Sequence, residues 1–192
     1  MRPYRLHYLL IVAILASFGC EEETPTPSQR DQEYDIYSLY LNTLEAEVLV
    51  VAEESYHGFA RFGITERSLN NFVDNYPGIE STLVMHLSTA DQDSILYENK
   101  FNVPHAEIIL INRPDFAEIF SEGYQEGWNN FVSTYGESSL SVSFTRISFN
   151  ETMDKAIFSA AVGQWSYLGY MVYLEYENDQ WAIKQVINTF VT

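Results

Sequence analysis

The chain has 192 residues, 46% of them hydrophobic and 15% aromatic, and a formal net charge of -17. That apolar content excludes an intrinsically disordered chain and is enough for one domain with a real core. The charge repels nucleic-acid phosphates and bare anionic lipid, so neither is an electrostatic partner.

The first segment, residues 1–19, reads as an export signal. Arg2 and Arg5 form a short basic region, and Tyr8 to Phe18 is an apolar run too short to span a bilayer as a mature helix. All 27 acidic residues follow Cys20, the single cysteine of the chain. One cysteine cannot close an internal disulfide. The stretch Ser17-Phe18-Gly19-Cys20 resembles the lipobox of bacterial lipoproteins, although leucine is usual at the place of Ser17 and a smaller residue at that of Phe18. The resemblance implies that Cys20 is lipidated and becomes the first residue of the mature chain. The alternative is an ordinary cleaved signal with a leftover thiol. Several acyl chains hold a protein firmly on a membrane, since each buried methylene contributes about 0.8 kcal/mol. Residues 20–31 then read as a solvated tether, Glu21-Glu22-Glu23 followed by Thr24-Pro25-Thr26-Pro27-Ser28. Acidic residues directly after the lipidated cysteine resemble the export signals of surface-exposed lipoproteins. The expected location is the cell envelope, at the outer membrane.

Residues 32–192 read as a single α+β domain. Glu33 to Ala46 has Tyr34, Tyr37, Leu41 and Leu44 along one side of a helix, with Asp31 as its expected N-cap. Glu47 to Glu53 is a strand, apolar on both faces and therefore interior. Tyr56 to Gly63 reads as a loop, and Thr65 to about Tyr76 as a helix broken by Pro77-Gly78. Ile79 to Ala90 carries Ile79, Leu83 and Leu87 at helical spacing. Asp91 to Asn102 is polar loop. Glu107 to Asn112 is a second strand, Pro114 opens a short helix to Phe120, and a further helix ends at Gly136 after Trp128, Phe131, Val132 and Tyr135.

The rest is a four-stranded antiparallel meander. Tyr170 to Tyr176 and Trp181 to Val191 alternate with a period of two around the turn Glu177-Asn178-Asp179-Gln180. The alternation sets Trp181, Ile183, Ile187 and Val191 on one face. Lys155 to Val162 precedes them, with Ala156, Phe158, Ala160 and Val162 on one face. In the first strand, Leu140, Val142 and Phe144 occupy even positions but Ile147 and Phe149 odd ones. Either a β-bulge near Thr145-Arg146 restores the phase, or the strand is apolar on both faces. The expected layout is helices on one face of a mostly antiparallel sheet, similar to that of nuclear-transport-factor-like cone folds.

Chemistry-bearing motifs are sparse. His7, His57, His86 and His105 are far apart, and none has a partner at metal-ligand spacing, so neither a metal nor a cofactor is assigned. The candidate ligand-binding residues are Arg146, which a bulge can aim into a cleft toward a carboxylate, and the aromatics Trp165, Tyr167 and Tyr170, which offer flat surfaces to a peptide, a glycan or an envelope protein. The competing assignment puts Trp128, Phe131 and Trp181 in the core and Trp165 as a cap on the sheet. Trp128-x-x-Phe131-x-x-x-Tyr135, Phe144 to Asn150, Lys155-Ala156, Gly169-Tyr170 and Trp181 together resemble the C-terminal signature of a family of small uncharacterised exported bacterial proteins. The resemblance implies the fold of this half and its export, and no activity. The chain departs from that signature in having no cysteine pair between Gly163 and Gly169, and Gly136 where proline is usual. Two functions follow as expectations: a lipid-anchored, non-enzymatic binding or accessory module, or a small cone-fold enzyme with a histidine or carboxylate base.

Overall fold

A computed structural model describes residues 28–56, 73–76, 78–90 and 94–191. Cys20, the signal segment, His57 and most of the helix expected from Thr65 lie outside the described residues. The elements are α1 (Gln29–Leu41), β1 (Val48–Ala52), α2 (Ser81–Ala90), β2 (Glu107–Ile111), α3 (Arg113–Ile119), α4 (Tyr124–Tyr135), β3 (Ser139–Phe144), β4 (Ser148–Phe149), β5 (Lys155–Gly163), β6 (Tyr167–Glu177) and β7 (Gln180–Val191). One open seven-stranded sheet runs in the order β2-β1-β3-β5-β6-β7, with β4 beside β5. The fold is α+β, and the sheet is mostly antiparallel and closes the chain with the expected meander.

The strand pairings bring two changes to the expected layout. First, β1 pairs in parallel with both β2 and β3, so half of the sheet is a parallel trio. Second, helices cover both faces. Leu49 and Val51 of β1 point into a core shared with α1, whereas Val50 packs with Trp128 and Phe131 of α4. A strand apolar on every residue is the signature of burial on both sides, and the interior position of β1 agrees with it.

Helix α1 starts earlier than the spacing of its apolar residues shows. Ser28, not Asp31, is the N-cap: its hydroxyl accepts from Asp31 N–H, and the Asp31 carboxylate accepts from the Ser28 backbone and hydroxyl. Asp31 is thus the third residue of a capping box. Those bonds hold the Asp31 carboxyl below the usual range.

The phase change in the first meander strand is a β-bulge. Phe144 pairs with Ala160 and Ser148 with Ile157, so Thr145, Arg146 and Ile147 face only Ser159 and Phe158. The extra residue lets Val142, Phe144, Ile147 and Phe149 all join the α1-side core. Side chains repair the broken ladder. Ser159 N–H donates to Thr145 Oγ1 at 2.9 Å, and the Tyr37 hydroxyl of α1 donates to the Thr145 carbonyl at 2.8 Å. Tyr37 is fully buried and stacks on Phe144 with ring centroids 4.7 Å apart.

Strand β7 corrects the simple alternation. Tyr173 pairs with Gln185 but Leu174 with Ile183, and Gly169 pairs with Phe190 but Tyr170 with Asn188. Lys184 and Thr189 are therefore extra residues. The first shift sends Trp181 and Ile183 to the α1 side and Ile187 to the α2 side, where it packs with Leu83, Val84 and Leu87. Equal parity does not mean equal face across a bulge. The β6–β7 turn is as expected, with Asn178 and Asp179 at φ of 51° and 63°, the left-handed pair that a two-residue hairpin needs.

Replacing Tyr37 by Phe keeps the ring and orphans the Thr145 carbonyl. Urea unfolding should show a loss of about 1–3 kcal/mol. Ser28→Ala should cost about 1 kcal/mol at neutral pH. A carboxyl depressed in the folded state stabilises above its unfolded pKa, and that contribution is lost as pH falls through the folded value. The Ser28→Ala deficit should therefore shrink in acid, as Asp31 takes up its proton.

Candidate functional site

Two concave regions stand out among the described residues. The first is a crevice of about 340 Å³ at the carboxyl ends of β1 and β2, on the α3/α4 face of the sheet. Open sheets with parallel strands commonly bind ligands outside these carboxyl ends. Here the parallel trio, which the sequence does not announce, creates the site.

The crevice wall is built by period two. Val142 and Phe144 point into the α1-side core, so Ser141 and Ser143 point the other way, into the crevice. Tyr167, at the start of β6, lies beside them, its hydroxyl 2.8 Å from Ser141 Oγ. Its ring packs 5.4 Å from that of Trp128. Burial pushes the Tyr167 phenol up to about 12, against a lowering by the Ser141 hydrogen bond. At neutral pH it is an uncharged donor and acceptor. Gly163 makes this placement possible: a Cβ there would meet the Ser166 carbonyl oxygen at 2.7 Å and the Tyr167 ring at 2.8 Å.

The other walls come from the segments after β1 and β2. Glu54 and Ser55 are pinned to the chain crossing them: Ser94 Oγ donates to Glu54 Oε1 at 2.6 Å, and Ile95 N–H donates to Ser55 Oγ at 2.9 Å. Asn112 caps α3 by accepting from Asp115 N–H at 2.8 Å, which sets Arg113 and Phe116 on the crevice rim. Arg113 makes no ion pair and Ser143 no side-chain hydrogen bond among the described residues. The lining is thus three aromatic rings, several neutral hydroxyls, one carboxylate and one guanidinium.

The second region is a groove of about 430 Å³ between the start of α1, helix α2 and the bulge, lined by Gln29, His86, Arg146, Phe149 and Met153 among others. The bulge aims Arg146 toward α1. There Glu33, only 2% exposed, is held by Arg30 Nη1 at 3.1 Å and approached by Arg146 Nη2 at 3.6 Å. The carboxylate that Arg146 finds is one of the protein's own. Arg146 Nε is buried and has no hydrogen-bond partner among the described residues.

The four candidate ligand-binding residues do not share one site. Tyr167 lines the crevice and Arg146 the groove. Tyr170 packs half-buried against the α1-side core. Trp165 sits at the β5–β6 turn at φ 71°, 46% exposed, with its carbonyl accepting from the Tyr124 hydroxyl at 3.0 Å. Trp128 and Phe131 are fully buried, and Trp181 is half-buried against Phe149 and Tyr176. His105 lines neither region, its Nε2 lying 3.0 Å from the Leu44 carbonyl oxygen. No group of three or more metal-ligating side chains occurs among the described residues, and no helix there is long and apolar enough to cross a membrane. The sequence reading missed Ser141, Ser143 and Arg113. The two serines left a signal: they fill alternate places of an otherwise apolar strand that is not at the sheet edge.

Comparison of the chain with protein-family models, with curated proteins and with solved structures found no match.

Removing Glu33 leaves two partly buried guanidinium groups without their carboxylate. Glu33→Ala should cost about 3 kcal/mol in urea unfolding, the low end for a broken buried pair because both arginines keep some solvent contact. Glu33→Gln, which keeps the shape and hydrogen-bonding oxygen, should cost less.

Proposed function

We propose that the protein is a lipid-anchored, non-enzymatic binding module of the cell envelope, held on the membrane through Cys20, and that the crevice takes its ligand. The observation that carries the binding role is the character of the crevice wall. Tyr167 and Ser141 are neutral and bonded to each other, Ser55 accepts a backbone N–H, and Glu54 accepts from Ser94. The Tyr167, Ser141 and Ser55 hydroxyls offer and accept hydrogen bonds, and among the described residues none of these three is paired with a histidine or carboxylate that would make it a nucleophile. A crevice of about 340 Å³ is at the small end of ligand pockets and suits a ligand the size of a mono- or disaccharide. The ring of Phe116 supplies an apolar face and Arg113 and Asn112 supply donors at the rim. A small neutral, hydroxyl-rich ligand matches that lining better than a charged one, because Glu54 and Arg113 offset each other.

The anchor is supported by the lipobox-like residues and by the tether that follows. Helix α1 is capped by Ser28, directly after the Pro/Thr stretch, so a lipid on Cys20 would hold the domain a few residues from the membrane.

Mass spectrometry of the mature N-terminus from native cells tests the anchor: an acylated Cys20 as first residue is expected, and an unmodified thiol refutes it. Titration with mono- and disaccharides, read by the fluorescence of buried Trp128 next to Tyr167, tests the crevice. Tyr167→Phe should weaken a bound saccharide about five- to tenfold, the effect of one lost neutral hydrogen bond. Equal binding by wild type and variant, or no binding across the panel, removes the crevice from the function.

A further inference from the structure

We infer that the groove at the β-bulge is a second binding site, specific for a compact apolar molecule bearing a single carboxylate, with Arg146 as its anchor. The argument starts from charge. Glu33 already has a close partner in Arg30, whose Nη1 lies 3.1 Å from Oε2, while Arg30 Nη2 also donates to the Leu96 carbonyl at 2.6 Å. Arg146 approaches the other Glu33 oxygen only to 3.6 Å, beyond a good hydrogen bond. Two guanidinium groups share one carboxylate, so Arg146 is the surplus cation. Its donors are also undersupplied. Guanidinium carries five N–H donors, and the buried Nε has no acceptor among the described residues. A donor left this way is costly, and the side chain as a whole keeps 27% exposure, so the open part of the guanidinium can receive an acceptor from the groove.

The surroundings select the acceptor. Arg146 lines a groove of about 430 Å³ together with the apolar side chains of Ile147, Phe149 and Met153. Met153 is 36% exposed and Phe149 is half-buried, so apolar surface is open beside the guanidinium. The other polar groups lining the groove are occupied: Ser148 Oγ donates to the Leu83 carbonyl, Gln29 Nε2 donates to Glu33 Oε1 at 3.4 Å, the Asn150 side chain closes its own loop onto Thr152, Asp154 and Lys155, and His86 is engaged as well. A fork of donors beside an apolar wall matches a planar carboxylate on an apolar body. One surplus positive charge on a chain of net charge -17 favours a monoanion over a phosphate dianion. The bulge is what makes the site. Without its extra residue Ile147 and Phe149 would turn to the opposite face of the sheet, and the apolar wall beside Arg146 would be lost.

The inference is independent of the saccharide crevice, with which the groove shares no lining residue. The test uses the full-length protein labelled with nitrogen-15 and titrates benzoate while following the arginine side-chain Nε–H NMR signals. A saturable shift of the Arg146 signal is expected, with no shift on adding benzamide, its neutral isostere. Arg146→Lys, its affinity read from the backbone amide shifts of Phe149 and Met153 in the same titration, keeps a cation near Glu33 but loses the fork, and should weaken benzoate at least about tenfold, while Arg113→Ala at the crevice should leave it unchanged. A wild-type Arg146 signal that does not move, an equal response to benzamide, or undiminished benzoate affinity in folded Arg146→Lys overturns the assignment.

Discussion

Helix α1 reaches across the molecule to mend a strand that is one residue too long. The Tyr37 hydroxyl satisfies the Thr145 carbonyl that the bulge releases, and its ring stacks on Phe144. One turn earlier on the same helix face, Glu33 meets Arg146. These two contacts, four residues apart on α1, grip two consecutive residues of the bulge. Burial holds the Tyr37 phenol well above the usual tyrosine range, so it stays a donor at any physiological pH. Tyr97 donates to Tyr37 at 3.3 Å, and Phe158 and Phe101 crowd its ring, so the helix, the bulge and the loop before β2 share one aromatic core. Take the bulge away and Ile147 and Phe149 turn to the wrong face; take Tyr37 away and the bulge loses its acceptor's partner.

The same bulge separates the two binding regions in kind. Upstream of it, β3 keeps strict alternation, and its serines face the crevice while Val142 and Phe144 face α1. Downstream, the phase is reversed and Arg146 is turned toward a buried carboxylate. A single inserted residue thus gives the strand one neutral, hydroxyl-bearing face and one cationic corner. The crevice further depends on the parallel pairing of β1 with β2 and β3, because only parallel neighbours bring the segment after β1 and the start of α3 to the same end of the sheet. In an antiparallel trio those segments would leave from opposite ends.

The regions that were legible in the residues are those governed by local rules. The Asn178-Asp179 turn, the alternation through β5 and β6, the Gly136 stop and the break of phase in the first meander strand each follow from what a few adjacent residues can do sterically. The misreadings share one cause. The row Trp181, Ile183 and Ile187 was split by an extra residue at Lys184, whose polar side chain looks like any outward-facing position. Ser28 was hidden as an N-cap because it stands in a Pro/Thr/Ser stretch that reads as tether. Tyr97, buried, and Phe101, half-buried, pack against α1 yet lie in a stretch whose polar neighbours outnumber them.

The residues alone determined an acidic α+β chain with a C-terminal meander and a change of phase in its first strand, because strand period and turn chemistry are properties of neighbours in the chain. Tertiary structure decided the parallel trio, the covering of both faces of the sheet, the crevice of Ser141, Ser143 and Tyr167, and the partnership of Arg146 with Glu33. Each of these joins groups distant in sequence, and their meeting depends on which strand edge and which sheet face is free once everything else has packed, a choice made by burial of the whole core and not by any one segment.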